Sequence, residues 1–155
     1  MAELTTRTGG CLCRGIRYRL VGDPEFVMQC FCRDCPLATG TGHTTIVVVE
    51  AANLQFTGEP KVFTNAGETG GRVNRHFCPV CGSRLFTSGA LPGSIRMVQA
   101  GTLDDPGSVT PVAAVYLKNR IHWDKVDPGI PSFEAMYPLN LRPQDVGKAP
   151  TDASR

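Results

Sequence analysis

The sequence predicts a mainly β domain, on three observations. Apolar residues fall in short runs that are either alternating or rich in β-branched side chains. Turns containing Gly or Pro separate these runs. No stretch carries the 3.6-residue apolar period of a four-turn helix. With 155 residues, 41% hydrophobic and 19% charged, the chain is long enough for one domain with a core.

The elements are expected in the following order. Gly9-Gly10 opens a turn into Cys11-Leu12-Cys13. Ile16, Tyr18 and Leu20 alternate with Arg17 and Arg19, the pattern of a half-buried strand, and Gly22-Asp23-Pro24 ends it. Residues 26–32 read as a second strand that delivers Cys30 and Cys32. Residues 34–39 suit one short helical turn, with Pro36 tolerated in its first turn. Thr44 to Glu50 reads as a buried strand, and residues 51–54 as a helical turn. Residues 54–56 and 62–64 flank Gly58-Glu59-Pro60 as a hairpin-like unit. Residues 65–71 form a glycine-rich loop. Val73 to Phe77 and Leu85 to Thr87 then flank the tight turn Cys78-Pro79-Val80-Cys81-Gly82. Strands are expected over 95–100 and 112–117, with Leu103 to Gly107 as a loop between them. The segment from Pro128 has no clear period, and residues 138–155 read as a poorly ordered tail.

Composition excludes several function classes. The net charge is +2 with no long basic run, so no nucleic acid partner is expected. The run Ile46 to Val49 falls far short of the ~20 apolar residues of a membrane span. The first ten residues have no apolar leader, so a soluble, cytoplasmic protein is expected. A homo-oligomer is compatible with the sequence.

The seven cysteines are the main chemical signal. An odd number in a reducing compartment argues against a disulfide framework. Redox switching and plain buried thiols remain the alternatives to metal. Cys11/Cys13 and Cys78/Cys81 form two distant pairs, which together supply four thiolates for a closed tetrahedral structural zinc. Cys30, Cys32 and Cys35 supply three thiolates and leave a fourth position open on a second zinc. A thiol or water at an open position is acidified, which suits thiol activation or carbonyl polarisation. Asp34, His43 and His76 lie near these cysteines in sequence, and Arg33, Arg72 and Arg75 could hold a substrate carboxylate. Each has an ordinary alternative: Asp34 as a helix cap, the histidines as metal ligands or surface groups, the arginines as solvated charges.

These motifs resemble the glutathione-dependent formaldehyde-activating enzymes, a family that also includes centromere protein V. The resemblance rests on G-G-C-L-C-x-G-x-x-Y at 9–18, C-x-C-x-x-C at 30–35 followed by A-T-G, and R-H-F-C-P-x-C-G-S-x-L at 75–85. It continues through G-T-L-D-D-P at 101–106, Trp123 and P-S-F-E-x-M at 131–136. It implies a domain over residues 9–137, after an N-terminal extension at 1–8, with a β-tent fold of small antiparallel sheets stapled by zinc. It implies structural zinc on Cys11, Cys13, Cys78 and Cys81, and catalytic zinc on Cys30, Cys32 and Cys35. The implied activity is that of a carbon–sulfur lyase joining glutathione, or another small thiol, to formaldehyde or a similar aldehyde. Phe31 stands where the family often has histidine, Pro36 where an arginine is common, and Arg14 where a glycine often follows the first C-x-C. No histidine occurs in 112–115, where members often carry one.

The sequence thus leads to a zinc-dependent enzyme whose partners are a thiol and an aldehyde. Two rivals are a non-catalytic zinc-stabilised binding module and a thiol-based metal or redox sensor. Arg33, His43, Arg75 and His76 are the candidate substrate contacts.

Overall fold

A computed structural model describes residues 3–137. The expected tail at 138–155 lies outside the described residues. Ten strands form two sheets, so the mainly β expectation holds. The strands are β1 (Thr6–Gly10), β2 (Arg17–Val21), β3 (Phe26–Cys30), β4 (Thr44–Glu50), β5 (Leu54–Thr57), β6 (Lys61–Ala66), β7 (Arg72–Phe77), β8 (Arg84–Ser88), β9 (Ile95–Gln99) and β10 (Ala113–Val115). One helix, α1 (Asp34–Thr39), lies between β3 and β4.

The small sheet has the order β1-β2-β5 and is antiparallel. The large sheet has the order β10-β3-β4-β9-β8-β7-β6. It is antiparallel except for the pair of β10 with β3, which run parallel with Val115 opposite Cys30.

The alternation along β4 organises the molecule. Side chains of successive strand residues point to opposite faces. Val47 and Val49 join one buried cluster with Tyr18, Leu20, Cys11 and Cys78. Ile46 and Val48 join another with Met28, Cys30, Cys35 and Met97. All four of these β4 residues are at most 4% exposed, which explains why β4 reads as a continuous apolar run. Each face of the large sheet therefore carries one cysteine group.

Several sequence expectations change. β5 and β6 are consecutive but do not pair: β5 joins β2 in the small sheet, and β6 joins β7 at the edge of the large one. The Gly58-Glu59-Pro60 turn is thus a crossing between sheets, because the exposed Phe56 and Phe63 give that stretch no single buried face to read. Gly9 and Gly10 lie in β1 and not in a turn. Cys11 and Cys13 lie in a tight turn, and β3 ends at Cys30, so Cys32 lies in the loop that follows and not on the strand expected over 26–32. The expected strand at 112–117 is only three residues long, because Tyr116 takes a left-handed backbone at φ 62° and starts a helical turn at Leu117–Asn119.

The loop after β9 is held against the small sheet. The Tyr18 hydroxyl and Thr102 Oγ1 are hydrogen-bonded at 2.7 Å. Thr8 Oγ1 donates to Asp104 Oδ2 at 2.6 Å, and Arg17 pairs with the same carboxylate. The L-D-D-P segment is therefore a clamp across the two sheets.

Candidate active site

The four-sulfur group forms where the turn after β1 meets the turn between β7 and β8. The Cys11 N–H fixes the first turn by donating to Ile16 O at 3.0 Å, and Ile16 N donates to Cys11 Sγ at 3.2 Å. In the second turn, Cys78 N donates to Ser83 O and Gly82 N to Cys78 O, both at 2.9 Å. Gly82 sits at φ 76°, a conformation that a side chain resists. Ser83 ties the turns together: its hydroxyl accepts from Leu12 N at 3.0 Å and contacts Cys81 Sγ at 3.3 Å. That contact helps to pull the Cys81 thiol down to about 5.

The sulfurs of Cys11, Cys13, Cys78 and Cys81 lie within 4.8 Å of one another. Cys11 to Cys13 is 3.5 Å and Cys13 to Cys78 is 3.7 Å. A tetrahedral metal bound at about 2.3 Å by thiolates separates them by about 3.8 Å, so this group fits one ion.

The second group forms on the opposite face. β3 delivers Cys30, the following loop Cys32, and α1 Cys35, whose N–H donates to Cys32 O at 3.2 Å. Gly40 closes α1 in a left-handed conformation. The three sulfurs also lie within 4.8 Å of one another, with Cys32 and Cys35 at 3.1 Å. Hydrogen bonding with Cys30 and then Cys35 holds the Cys32 thiol well below the usual range. Cys32 in turn pushes the Cys30 thiol up, and Cys30 followed by Cys32 pushes the Cys35 thiol up. The three converging sulfurs can hold a metal ion with three protein ligands.

These sulfurs form one wall of a cavity of about 570 Å³. That is within the ~300–1,000 Å³ range of small-molecule sites. Asp34, Arg75, Arg84, Tyr116 and Glu68 also line it. Asp34 does not cap α1; Arg33 holds that position and makes no side-chain cap bond. The Asp34 carboxylate instead accepts from Arg75 at 2.6 Å and from Asn65 Nδ2 at 2.9 Å. Glu68 in the glycine-rich loop accepts from Lys118, Asn119 and the Arg33 backbone, which places the loop over the cluster.

The four substrate-contact candidates divide. Arg75 lines the cavity. Arg33 is exposed, and its backbone N–H donates to Glu68. His43 stacks on the fully buried Phe31, with ring centroids 4.8 Å apart, and its Nδ1 lies 2.6 Å from Asp124 Oδ2. A Cβ at Gly42 would fall 2.0 Å from that carboxylate, so glycine is what allows the approach. His76 stacks on Phe86 at 4.2 Å and bonds Ser88, and burial followed by the Arg96 charge pushes its pKa down. Neither histidine is among the residues that line the cavity.

Two cavity residues escape sequence reasoning. Arg84 occupies the variable position of the C-G-S-x-L motif, with its Nη1 buried and unpartnered among the described residues. Burial and then Arg75 push its pKa down, while Cys35 and Cys32 pull the other way. Tyr116 is the second, half-buried beside the cysteines, and burial raises its phenol pKa. Nothing in the local pattern distinguishes either residue, because their place depends on which strands are neighbours.

A sequence model of the glutathione-dependent formaldehyde-activating enzymes matches residues 6–119, and the chain belongs to that family. No curated protein matches the sequence. A crystal structure of a Rhodobacter sphaeroides protein is similar at 14% identity and a TM-score of 0.48, over 63% of this chain and 87% of that one. Among the described residues, no helix is long and apolar enough to cross a membrane.

Proposed function

We propose that the protein is a zinc-dependent carbon–sulfur lyase-type enzyme that joins a small-molecule thiol to a small aldehyde, or catalyses the reverse. One observation carries this reading: three converging sulfurs form part of the wall of a cavity of small-molecule size. Family membership supports glutathione and formaldehyde as the reference pair. The all-thiolate donor sets suit zinc, with Cys11, Cys13, Cys78 and Cys81 as a closed set and Cys30, Cys32 and Cys35 as an open one. Zinc at the open set would supply Lewis acidity toward a thiol or a carbonyl.

The addition balances without a redox partner. The thiol loses its proton, and a sulfur lone pair forms the new C–S bond. The carbonyl π bond breaks, and its oxygen takes up a proton to give a hydroxymethyl thioether or its homologue. The protein's own residues would orient both partners and exclude water, with Arg84 and Tyr116 as N–H and O–H donors in the same cavity. The test is the thiol-addition rate across several thiols and aldehydes. Acceleration by wild type that Cys32→Ser abolishes supports the reading, and rates equal to the uncatalysed reaction for both proteins reject it.

A redox-sensor reading is favoured by the 3.1 Å approach of Cys32 and Cys35 sulfurs. It requires that oxidant convert this pair to a disulfide reversibly while the four-sulfur set stays intact. Mass spectrometry of oxidised and re-reduced protein separates it from the enzyme reading.

A further inference from the structure

The cavity is far larger than formaldehyde requires, and its lining is selective. Away from the sulfurs, Met28, Ile46, Met97 and Tyr137 come from the buried apolar cluster on this face of the sheet, and partly buried Leu91 packs against them. Such a surface stabilises an apolar body by about 25 cal/mol per Å² removed from water. Several polar side chains also line the cavity, but Thr44 is bonded to Gln99, Asp34 to Arg75, and Glu68 to Lys118 and Asn119. Amides and charges along a ligand therefore find few free partners there, and each left unpaired costs free energy.

Two arginines also line the cavity. Arg75 is already engaged by Asp34. Arg84 is not: its buried Nη1 has no partner among the described residues. A buried guanidinium N–H without an acceptor is unfavourable, and a carboxylate matches its planar fork.

We propose that the cavity takes an organic substrate with an apolar body and one carboxylate, the body lying on Met28, Ile46 and Met97 and the carboxylate meeting Arg84. This rests on the reading of the three-cysteine wall as a reaction centre and names the substrate class for it. A flexible ligand with many polar groups fits this lining less well than a compact aromatic or branched aliphatic acid.

The competing role for Arg84 is to offset the charge of the neighbouring thiolates, since Cys35 and Cys32 lie within electrostatic reach. Calorimetry on the zinc-loaded full chain separates the two. The probes are 4-phenylbutyrate, its uncharged analogue 4-phenylbutan-1-ol, and glutathione. The expected result is that the carboxylate binds about tenfold more tightly than the alcohol, and more tightly than glutathione. Arg84→Met should remove the advantage over the alcohol without changing the alcohol's affinity, and Arg84→Lys should keep part of it. Equal binding of acid and alcohol to wild type overturns the proposal, as does tighter binding of glutathione. So does an Arg84→Met protein that sheds metal yet binds the acid normally when reloaded. If Arg84→Met does not fold, the wild-type ratio and Arg84→Lys decide.

The probes contain neither thiol nor aldehyde, so binding is read independently of turnover. Probe binding without thiol addition rejects the proposed reaction and keeps the substrate class. Thiol addition without probe binding does the reverse.

Discussion

Arg75 on β7 donates to Asp34 on α1 at 2.6 Å, so the ion pair fastens the strand before the four-sulfur turn to the helix that carries Cys35. The arginine side chain is 13% exposed and the aspartate 29%. Screening is therefore incomplete, and the pair holds two cavity residues in place. Removing the carboxylate also leaves Arg75 and Arg84 as neighbouring cations without it. Asp34→Ala is expected to destabilise the fold by about 1–2 kcal/mol. It should also speed metal loss from Cys30, Cys32 and Cys35. Urea unfolding and colorimetric zinc release measure both; no change in either would remove this role from the pair.

The two cysteine groups are expected to respond differently to metal removal. The closed set joins turns that are 65 residues apart, whereas Cys30, Cys32 and Cys35 are close in sequence. A structural zinc contributes apparent binding of about 10 kcal/mol or more, comparable to the ~5–15 kcal/mol net stability of a domain. Cys78→Ser should abolish cooperative thermal unfolding, and Cys35→Ser should preserve it with one zinc fewer per chain. Equal loss of folding in both variants would contradict this division.

The Asp104 carboxyl should titrate below the usual carboxylate range. Arg17 lowers its pKa first, and Thr8 adds to the effect. The folded pKa lies below the unfolded one, so the associated stability is complete above the unfolded pKa of about 3.9 and is lost as pH falls through the folded value. Carbon-13 NMR of the carboxyl should show an upward shift toward the unperturbed value in Arg17→Gln. A titration identical in both proteins would break the link to Arg17.

Arg14 holds φ 65° in the turn between the first two cysteines and Ile16. The left-handed region costs a side-chain-bearing residue about 1–2 kcal/mol, and the greater chain entropy of glycine offsets part of that. Arg14→Gly is expected to stabilise the protein by about 0.5 kcal/mol, read as a higher urea midpoint at constant slope. A lower midpoint would mean that the arginine side chain contributes more than its backbone strain removes.

Much of the site was legible because its chemistry is written in local spacing. Each pair, 11/13 and 78/81, sits within one turn, and the trio 30/32/35 spans six residues from the end of β3 into α1, so sequence distance predicts spatial distance there. β4 was legible for a related reason: both faces are buried at its centre, where Ile46 to Val49 are all apolar. Partner choice was not legible. Phe56 and Phe63 carry similar patterns but belong to different sheets, and only tertiary contacts decide that. The same dependence hid Arg84, whose variable motif position says nothing of the cavity it faces, and Asp124, whose approach to His43 spans 81 residues.

The two-faced packing of β4 has a consequence for how the protein can change. Val47 and Val49 support the side with Cys11 and Cys78, while Ile46 and Val48 share the opposite side with Met28, Met97 and the three-cysteine trio. The sheet thus separates the four-sulfur group from the three-sulfur group and its cavity. Exchanges among Met28, Ile46 and Met97 would therefore reshape the cavity wall while Val47 and Val49 keep their packing against Cys11 and Cys78.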